Sequence, residues 1–288
     1  MLTRLVLKCL QGLGRLPLPW IRALGVAVGW FLYCAVASRR KVVWINLRLC
    51  FPQWTDRQVR QCATQTFVHF AQTWLDRGWL WHAPASVTKM RIRLVGNVNA
   101  LQGQEPVVLF APHFVALDAG WTGLTQQIDR TFNTIYTDQA SKDADAWILE
   151  GRRRFGAPGL FGRAQGVKPI LAGLKRGEPL YLLPDMNFGP HESVWVPFYG
   201  VPAATVPSLS RFARLGRAKV VPVISRITQE GYSVEILEAW SNFPTDDMCA
   251  DTALMNQRLQ GYIDTMPDQY YWVHKRFKDQ PHGMTAPY

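Results

Sequence analysis

His113 and Asp118 are the first pair of residues whose types and spacing can do chemistry. They sit in Val107-Val108-Leu109-Phe110-Ala111-Pro112-His113-Phe114-Val115-Ala116-Leu117-Asp118. The apolar run at its start reads as a buried strand. Pro112 ends that strand, because proline cannot donate to a sheet ladder. His113 then falls just past the strand end, and Asp118 near the start of a following helix, 117–127. An imidazole with a carboxylate on one ring nitrogen has a fixed tautomer, and its other nitrogen can take a proton from an attacking hydroxyl. That is a base and its orienter, with the hydroxyl supplied by the substrate. The plainer alternative is a strand-end histidine satisfied by a carbonyl, with Asp118 capping a helix.

Other stretches extend this chemistry. Gly151-Arg152-Arg153-Arg154-Phe155-Gly156 closes a helix predicted over 142–155. Arginine forks bind phosphate and carboxylate bidentately, and one or two of these three can face a site. A solvated helix end, where cations complement the helix dipole, competes with that reading. Leu183-Pro184-Asp185-Met186-Asn187-Phe188-Gly189 repeats the pattern of a strand, a proline and then an acid. Asp185 is expected in the same crevice as His113, facing a substrate hydroxyl or a basic side chain. A turn-forming aspartate is the alternative. Val194 to Gly200 is apolar and aromatic, suiting either core or the lining of an acyl channel. Arg211, Arg214, Arg217 and Lys219 form a basic stripe that is either a docking face or a solvated one. Tyr270 to Lys278 interleaves aromatic and cationic residues, as surfaces for membranes, phosphates or nucleic acids do.

These residues need elements to hold them. Apolar or alternating runs at 107–111, 131–136, 179–184, 219–224 and 233–237 read as strands. Residues 91–95 read as an edge strand. Helices are predicted between them at 117–127, 142–155, 166–176, 205–216 and 250–265. Such alternation argues for an α/β fold with a central, mostly parallel sheet flanked by helices. Ligands of such sheets bind beyond the carboxyl ends of the strands, where His113 and Asp185 fall. Thr55 and Gln58 form a capping box for a helix that ends near Gly78.

Two regions are expected: an N-terminal apolar and basic helical segment, 1–50, that associates with membrane, and an α/β domain, 51–288. Ala23 to Ala37 is uncharged over 15 residues, short of the roughly 20 a span needs. The readings open for it are a tilted span with Arg22 reaching the interface, an interfacial helix, a buried core helix pair, or a signal peptide. Arg39-Arg40-Lys41 would keep the following end cytoplasmic.

Composition narrows the partners. The chain has 288 residues, a formal net charge of +11, 18% charged residues and twelve tryptophans. That charge calls for an anionic partner, whether nucleic acid, anionic lipid or an acidic carrier protein. The five cysteines are scattered without a CxxC, which argues against a disulfide framework or a zinc site and fits a reducing compartment. No HExxH occurs, so no metal is implied.

The ordered set of motifs resembles the lysophospholipid acyltransferase superfamily, and more closely the late (secondary) acyltransferases of lipid A synthesis, of the lauroyl and myristoyl type. The residues that carry the resemblance are Asn46-Leu47 and Leu49-Cys50-Phe51-Pro52, His113 with Asp118 as H-x4-D, and Gly151-Arg152 with Arg154. Pro184-Asp185, Phe188-Gly189-Pro190, Val196-Pro197-Phe198 and Trp272 to Lys278 complete it. The resemblance implies acyl transfer from acyl carrier protein to a hydroxyl of a lipid A precursor, at the cytoplasmic face of the inner membrane, without a cofactor. His113 would be the base and Asp118 its partner. Arg152, Arg154 and Asp185 would contact substrate. Asn187 stands where several relatives have a second acid, and Asp118 where many have glutamate.

Thioester acyl transfer needs a base and an oxyanion donor rather than a metal. Backbone at the strand end or Arg152 are the sequence's candidates for that donor. Two other acceptors fit the same machinery, a glycerophospholipid or another glycolipid. A protein of a different class, a basic membrane- or nucleic-acid-binding module without chemistry, would share the charge. The absence of a helix-turn-helix or RNP pattern speaks against nucleic acid. The lack of a G-x-S-x-G elbow speaks against a hydrolase.

Overall fold

The computed structural model describes residues 2–288. Three helices open the chain: α1 (Leu2–Leu13), α2 (Leu18–Ala35) and α3 (Ala37–Cys50). They pack on α4 (Asp56–His82), which the expected Thr55–Gln58 capping box starts. α4 runs past Gly78, where the sequence suggested a stop, because Gly78 is a contact point. A Cβ added at Gly78 would lie 2.1 Å from the Leu10 carbonyl oxygen.

α2 lies along α4 by the same device. A Cβ added at Gly29 would lie 2.4 Å from the Val68 Cα, and one at Gly25 2.4 Å from the Gln72 Cγ. Arg22 fixes the register, its Nη2 sitting 2.9 Å from Asp76 Oδ2. Asp76 is fully buried and also accepts from the Tyr232 hydroxyl at 2.6 Å. Lifting α2 away would leave that carboxylate buried without its cation, a large penalty. The opposite face stays open, with Trp20, Trp30 and Phe31 exposed. α2 is the one helix, among the described residues, long and apolar enough to cross a membrane.

The remainder alternates as the sequence suggests: α5 (Ala85–Arg91), β1 (Ile92–Gly96), β2 (Val107–Phe110), α6 (Leu117–Gln127), β3 (Asn133–Tyr136) and α7 (Lys142–Arg152). Then come β4 (Gly159–Gly162), α8 (Lys168–Lys175), β5 (Leu180–Leu182), β6 (Val194–Phe198) and β7 (Val201–Thr205). Last are α9 (Ser208–Gly216), β8 (Lys219–Thr228), β9 (Gly231–Ile236) and α10 (Met248–Asp264). The main sheet has seven strands in the order β1-β9-β8-β2-β5-β3-β4, parallel except where β8 meets β9. β2 is central and buried on both faces, as an apolar parallel strand should be. Its alternate residues feed two cores. Val108 and Phe110 face the side covered by α3, the first half of α4, α8, α9 and α10. Val107 and Leu109 face α6, α7 and the second half of α4.

Val194 to Gly200 is not a channel. It forms β6 and the turn of the β6–β7 hairpin, with Phe198 buried in the first core. In the basic stripe, Arg214 pairs with Asp246 and Lys219 with Glu105.

Candidate active site

The register of two neighbouring strands builds the site. In the parallel β2–β5 pair, Phe110 lies opposite Leu182. His113 and Asp185 each follow three residues later, across Pro112 and Pro184. The strands run the same way, so both side chains emerge side by side beyond the carboxyl edge. His113 Nδ1 lies 2.8 Å from Asp185 Oδ1. The His113 backbone N–H donates to Asp185 Oδ2 at 3.1 Å, and the Tyr270 hydroxyl donates to the same oxygen at 2.9 Å. An ionised carboxylate only accepts, so Nδ1 carries the ring proton and Nε2 is left as a base. Burial pushes the Asp185 carboxyl up. The opposing charge of His113 and the hydrogen bonds from its ring, its backbone and Tyr270 outweigh this and hold it below the usual carboxylate value. Burial drives the Tyr270 phenol well above its ordinary value, with Asp185 adding to the effect, so it remains a donor.

The loop carrying the imidazole is stitched in place. Val115 N–H donates to the Gln269 carbonyl at 2.8 Å and Tyr271 N–H to the His113 carbonyl at 3.0 Å. Phe114 forms a lone bridge with Tyr270.

Asp118 is not the partner of His113. It opens α6 with its carboxylate turned toward α4 and α7. Arg77 donates to its Oδ2 from Nε at 3.0 Å and from Nη2 at 2.6 Å. Arg152 donates to its Oδ1 from Nε at 2.9 Å. Burial raises the Asp118 carboxyl, but Arg152 and then Arg77 pull it down to about 2. Two guanidiniums hold this carboxylate, and Asp185, from the adjacent strand, takes the imidazole instead.

The arginine block divides. Arg152 lines the same cleft as His113, whereas Arg154 faces away. Arg154 caps the end of α4, donating to the Leu80 carbonyl at 2.7 Å and to that of Ala83. The expectation that Arg154 contacts substrate is therefore corrected. Asp185 likewise offers nothing to a substrate, since it is fully buried and both its oxygens already accept from protein donors.

The cleft encloses about 620 Å³. Phe70, Trp74, Trp121, Tyr271 and Met186 give it an apolar wall, while Arg77, Arg152 and Arg163 gather at it. Arg77 lies 3.9 Å over the Trp74 ring, an i, i+3 stack on α4. The sequence reading missed Arg77, because a cation on a helix signals nothing until the fold brings Asp118 to it. It also missed Tyr270 as a donor to Asp185. Equal spacing of Pro-His and Pro-Asp after two strands was the one available clue to the His113–Asp185 pair. Among the described residues no cluster of histidine, cysteine, aspartate and glutamate fits a metal ion.

Comparison with known proteins adds the chemistry of relatives. Residues 1–279 match the model of the family described as bacterial lipid A biosynthesis acyltransferase. A lipid A biosynthesis acyltransferase of Haemophilus influenzae is 31% identical, over 83% of this chain and 75% of its own. The lipid A biosynthesis lauroyltransferase of Escherichia coli is 28% identical, over 95% of this chain and 90% of its own. The myristoyltransferase of that organism is 27% identical, over 88% and 79%.

Proposed function

From the premise that the chain belongs to the bacterial lipid A biosynthesis acyltransferase family, and so is an acyltransferase, we propose that it moves a fatty acyl chain from acyl carrier protein to a hydroxyl of a lipid A precursor, with His113 as general base. The observation that carries this reading is the His113–Asp185 pair at the edge of an apolar cleft ringed by arginines. His113 Nε2 takes the proton from the acceptor hydroxyl as its oxygen bonds to the thioester carbon. The carbonyl electron pair moves onto oxygen, giving a tetrahedral intermediate. Asp185 stabilises the imidazolium, as an orienting carboxylate does. Collapse of the intermediate restores the carbonyl, breaks the carbon–sulfur bond and returns the proton from Nε2 to the leaving thiolate.

Arg152 and Arg77 hold one carboxylate between two guanidiniums, which leaves net positive charge at the cleft. Arg152 is the residue we assign to an anionic group of the substrate, a phosphate of the glycolipid or of the carrier's prosthetic arm. Asp118 keeps Arg152 in place and does not act on the base.

The open face of α2, bearing Trp20, Trp30 and Phe31, suits a helix lying in the membrane interface and docked on α4 through its other face. Arg39, Arg40 and Lys41 follow it, and Arg39 donates to the Val273 carbonyl at 3.2 Å, which sets this basic turn beside the cationic segment near the cleft. An anionic cytoplasmic leaflet of the inner membrane fits that charge. Residues 1–50 then serve to associate with the membrane, and 51–288 carry the chemistry.

The test is His113→Ala assayed with acyl carrier protein thioester and lipid A precursor. Transfer is expected to fall at least about 1000-fold, with the protein still folded at the assay temperature and vesicle binding kept. Wild-type activity in that variant would remove the mechanism. A glycerophospholipid offered in competition and acylated faster would change the acceptor and leave the base assignment standing.

A further inference from the structure

The machinery above lacks a donor for the oxygen on which negative charge develops. The sequence offers backbone at the strand end or Arg152, and Arg152, held by Asp118 through Nε at 2.9 Å with Nη2 also 2.9 Å from that carboxylate, is the residue already assigned to the substrate's anionic group. A second imidazole lines the cleft that holds His113. It is His274, in the segment after α10. The Asn187 backbone N–H donates to its Nε2 at 3.0 Å. A ring nitrogen that accepts cannot also carry a proton, so a neutral His274 must bear its hydrogen on Nδ1.

The ring is neutral. Burial, then the charges of Arg276 and His113, lower its pKa to about 4. Of the groups facing it, Arg276, His113 and Lys278 disfavour a charge there, and Asp185 opposes them. Nδ1 has no protein partner among the described residues, and it is not among the buried atoms left without one. Nδ1 therefore keeps exposed surface on a residue that lines the cleft.

The ring is also rigidly carried. Asn46, fully buried on α3, donates from Nδ2 to the carbonyls of Trp272 at 2.7 Å and His274 at 2.8 Å. Arg276, two residues on, is buried and donates to the Ala204 carbonyl at 2.7 Å and Thr205 Oγ1 at 2.6 Å. Asn187 itself is tied down, its Nδ2 donating to the Arg276 carbonyl at 3.3 Å. So many hydrogen bonds spent on holding one neutral ring at the wall of a reaction cleft are what a preorganised donor requires.

We propose that His274 is a further catalytic residue, whose Nδ1–H donates to the thioester carbonyl oxygen as it becomes an oxyanion. This rests on the acyl-transfer reading with His113 as base. The reaction is then shared by two imidazoles held in opposite tautomers. His113 carries its hydrogen on Nδ1 toward Asp185 and accepts through Nε2, while His274 accepts through Nε2 and donates through Nδ1. A neutral donor suits the position, since a second imidazolium beside His113 would suppress protonation of the base.

Two measurements test this. His274→Phe, which keeps a planar ring and loses the donor, is expected to lower kcat about 100- to 1000-fold with KM for the acyl thioester unchanged. The pH midpoint set by His113 is expected to stay where the wild type has it. His274→Asn, whose amide can place an N–H near the position of Nδ1, is expected to recover at least about tenfold of that loss. A phenylalanine variant within a few-fold of wild type overturns the proposal, as does an asparagine variant no better than phenylalanine. A shifted pH midpoint would mean that the ring acts through His113 and would equally overturn it. If either variant fails to fold, nitrogen-15 NMR of histidine-labelled wild type decides. A neutral His274 with its hydrogen on Nδ1 at pH 7 supports the assignment, and a charged ring or the other tautomer refutes it. Failure of the acyl-transfer reading shows separately, as an active His113→Ala.

Discussion

Replacing Asp118 with asparagine separates the role assigned here from that of a catalytic partner. The carboxylate is buried between Arg77 and Arg152, with contacts from 2.6 to 3.0 Å. Its pKa of about 2, against 3.8 for a free aspartate, corresponds to about 2 kcal/mol of folded-state preference for the charged form. The sign follows from proton binding. A depressed carboxylate stabilises the fold fully above about pH 4 and loses that contribution as pH falls through about 2. An amide removes it at every pH and also leaves two partly buried guanidiniums facing each other. Breaking such a pair costs about 3–5 kcal/mol when the remaining charge stays buried. Equilibrium urea unfolding at pH 7.5 in detergent should thus show Asp118→Asn less stable by about 2–5 kcal/mol. Its residual activity, measured well below the unfolding midpoint, should show a raised KM from a loosened Arg152. The pH dependence of kcat should match the wild type. Unchanged stability together with a displaced kcat profile would refute the reasoning and return Asp118 to the base.

Other outcomes follow from the same contacts. His274, lowered to about 4 by burial and neighbouring cations, binds a proton less readily folded than unfolded. It should contribute stability in full above about pH 6.5 and lose about 3 kcal/mol as pH falls toward 4. Urea midpoints across that range should fall more steeply in the wild type than in His274→Phe. Arg154→Ala removes two charge-assisted hydrogen bonds from the end of α4 and should cost about 2 kcal/mol of stability while leaving KM unchanged. A raised KM with unchanged stability would put Arg154 back in the site. Gly29→Leu forces a side chain into the Val68 backbone, where even a Cβ would stand 2.4 Å away. It should undock α2 and be seen as lost vesicle binding or lost stability.

Much of the frame was legible in the sequence because local patterns carry it. The strands at 107–111 and 219–224, the helix over 117–127 and the Thr55 capping box are written in apolar runs, a proline stop and a two-residue hydrogen-bond motif. His113 was legible for the same reason, standing at a strand end. Its partner was not. Asp118 is near in sequence, but the choice between Asp118 and Asp185 depends on the β2–β5 register and on Arg77 arriving from α4, both long-range facts. Arg154 was misplaced because neighbouring arginines at a helix end point in different directions, and only packing tells which one enters the cleft. β6 was missed because a half-buried strand and an apolar channel wall have the same composition.

The central claim is that Asp185, not Asp118, orients the base. In the folded chain this carboxylate accepts from the His113 ring, the His113 backbone and the Tyr270 hydroxyl. An amide has one acceptor oxygen in place of two, so in Asp185→Asn an NH2 group must face one of those donors. The kcat for transfer from acyl carrier protein thioester should then fall about 1000- to 10,000-fold in Asp185→Asn, with the protein still folded at the assay temperature. A folded Asp185→Asn enzyme within tenfold of wild type, alongside an inactive Asp118→Asn, would contradict the account.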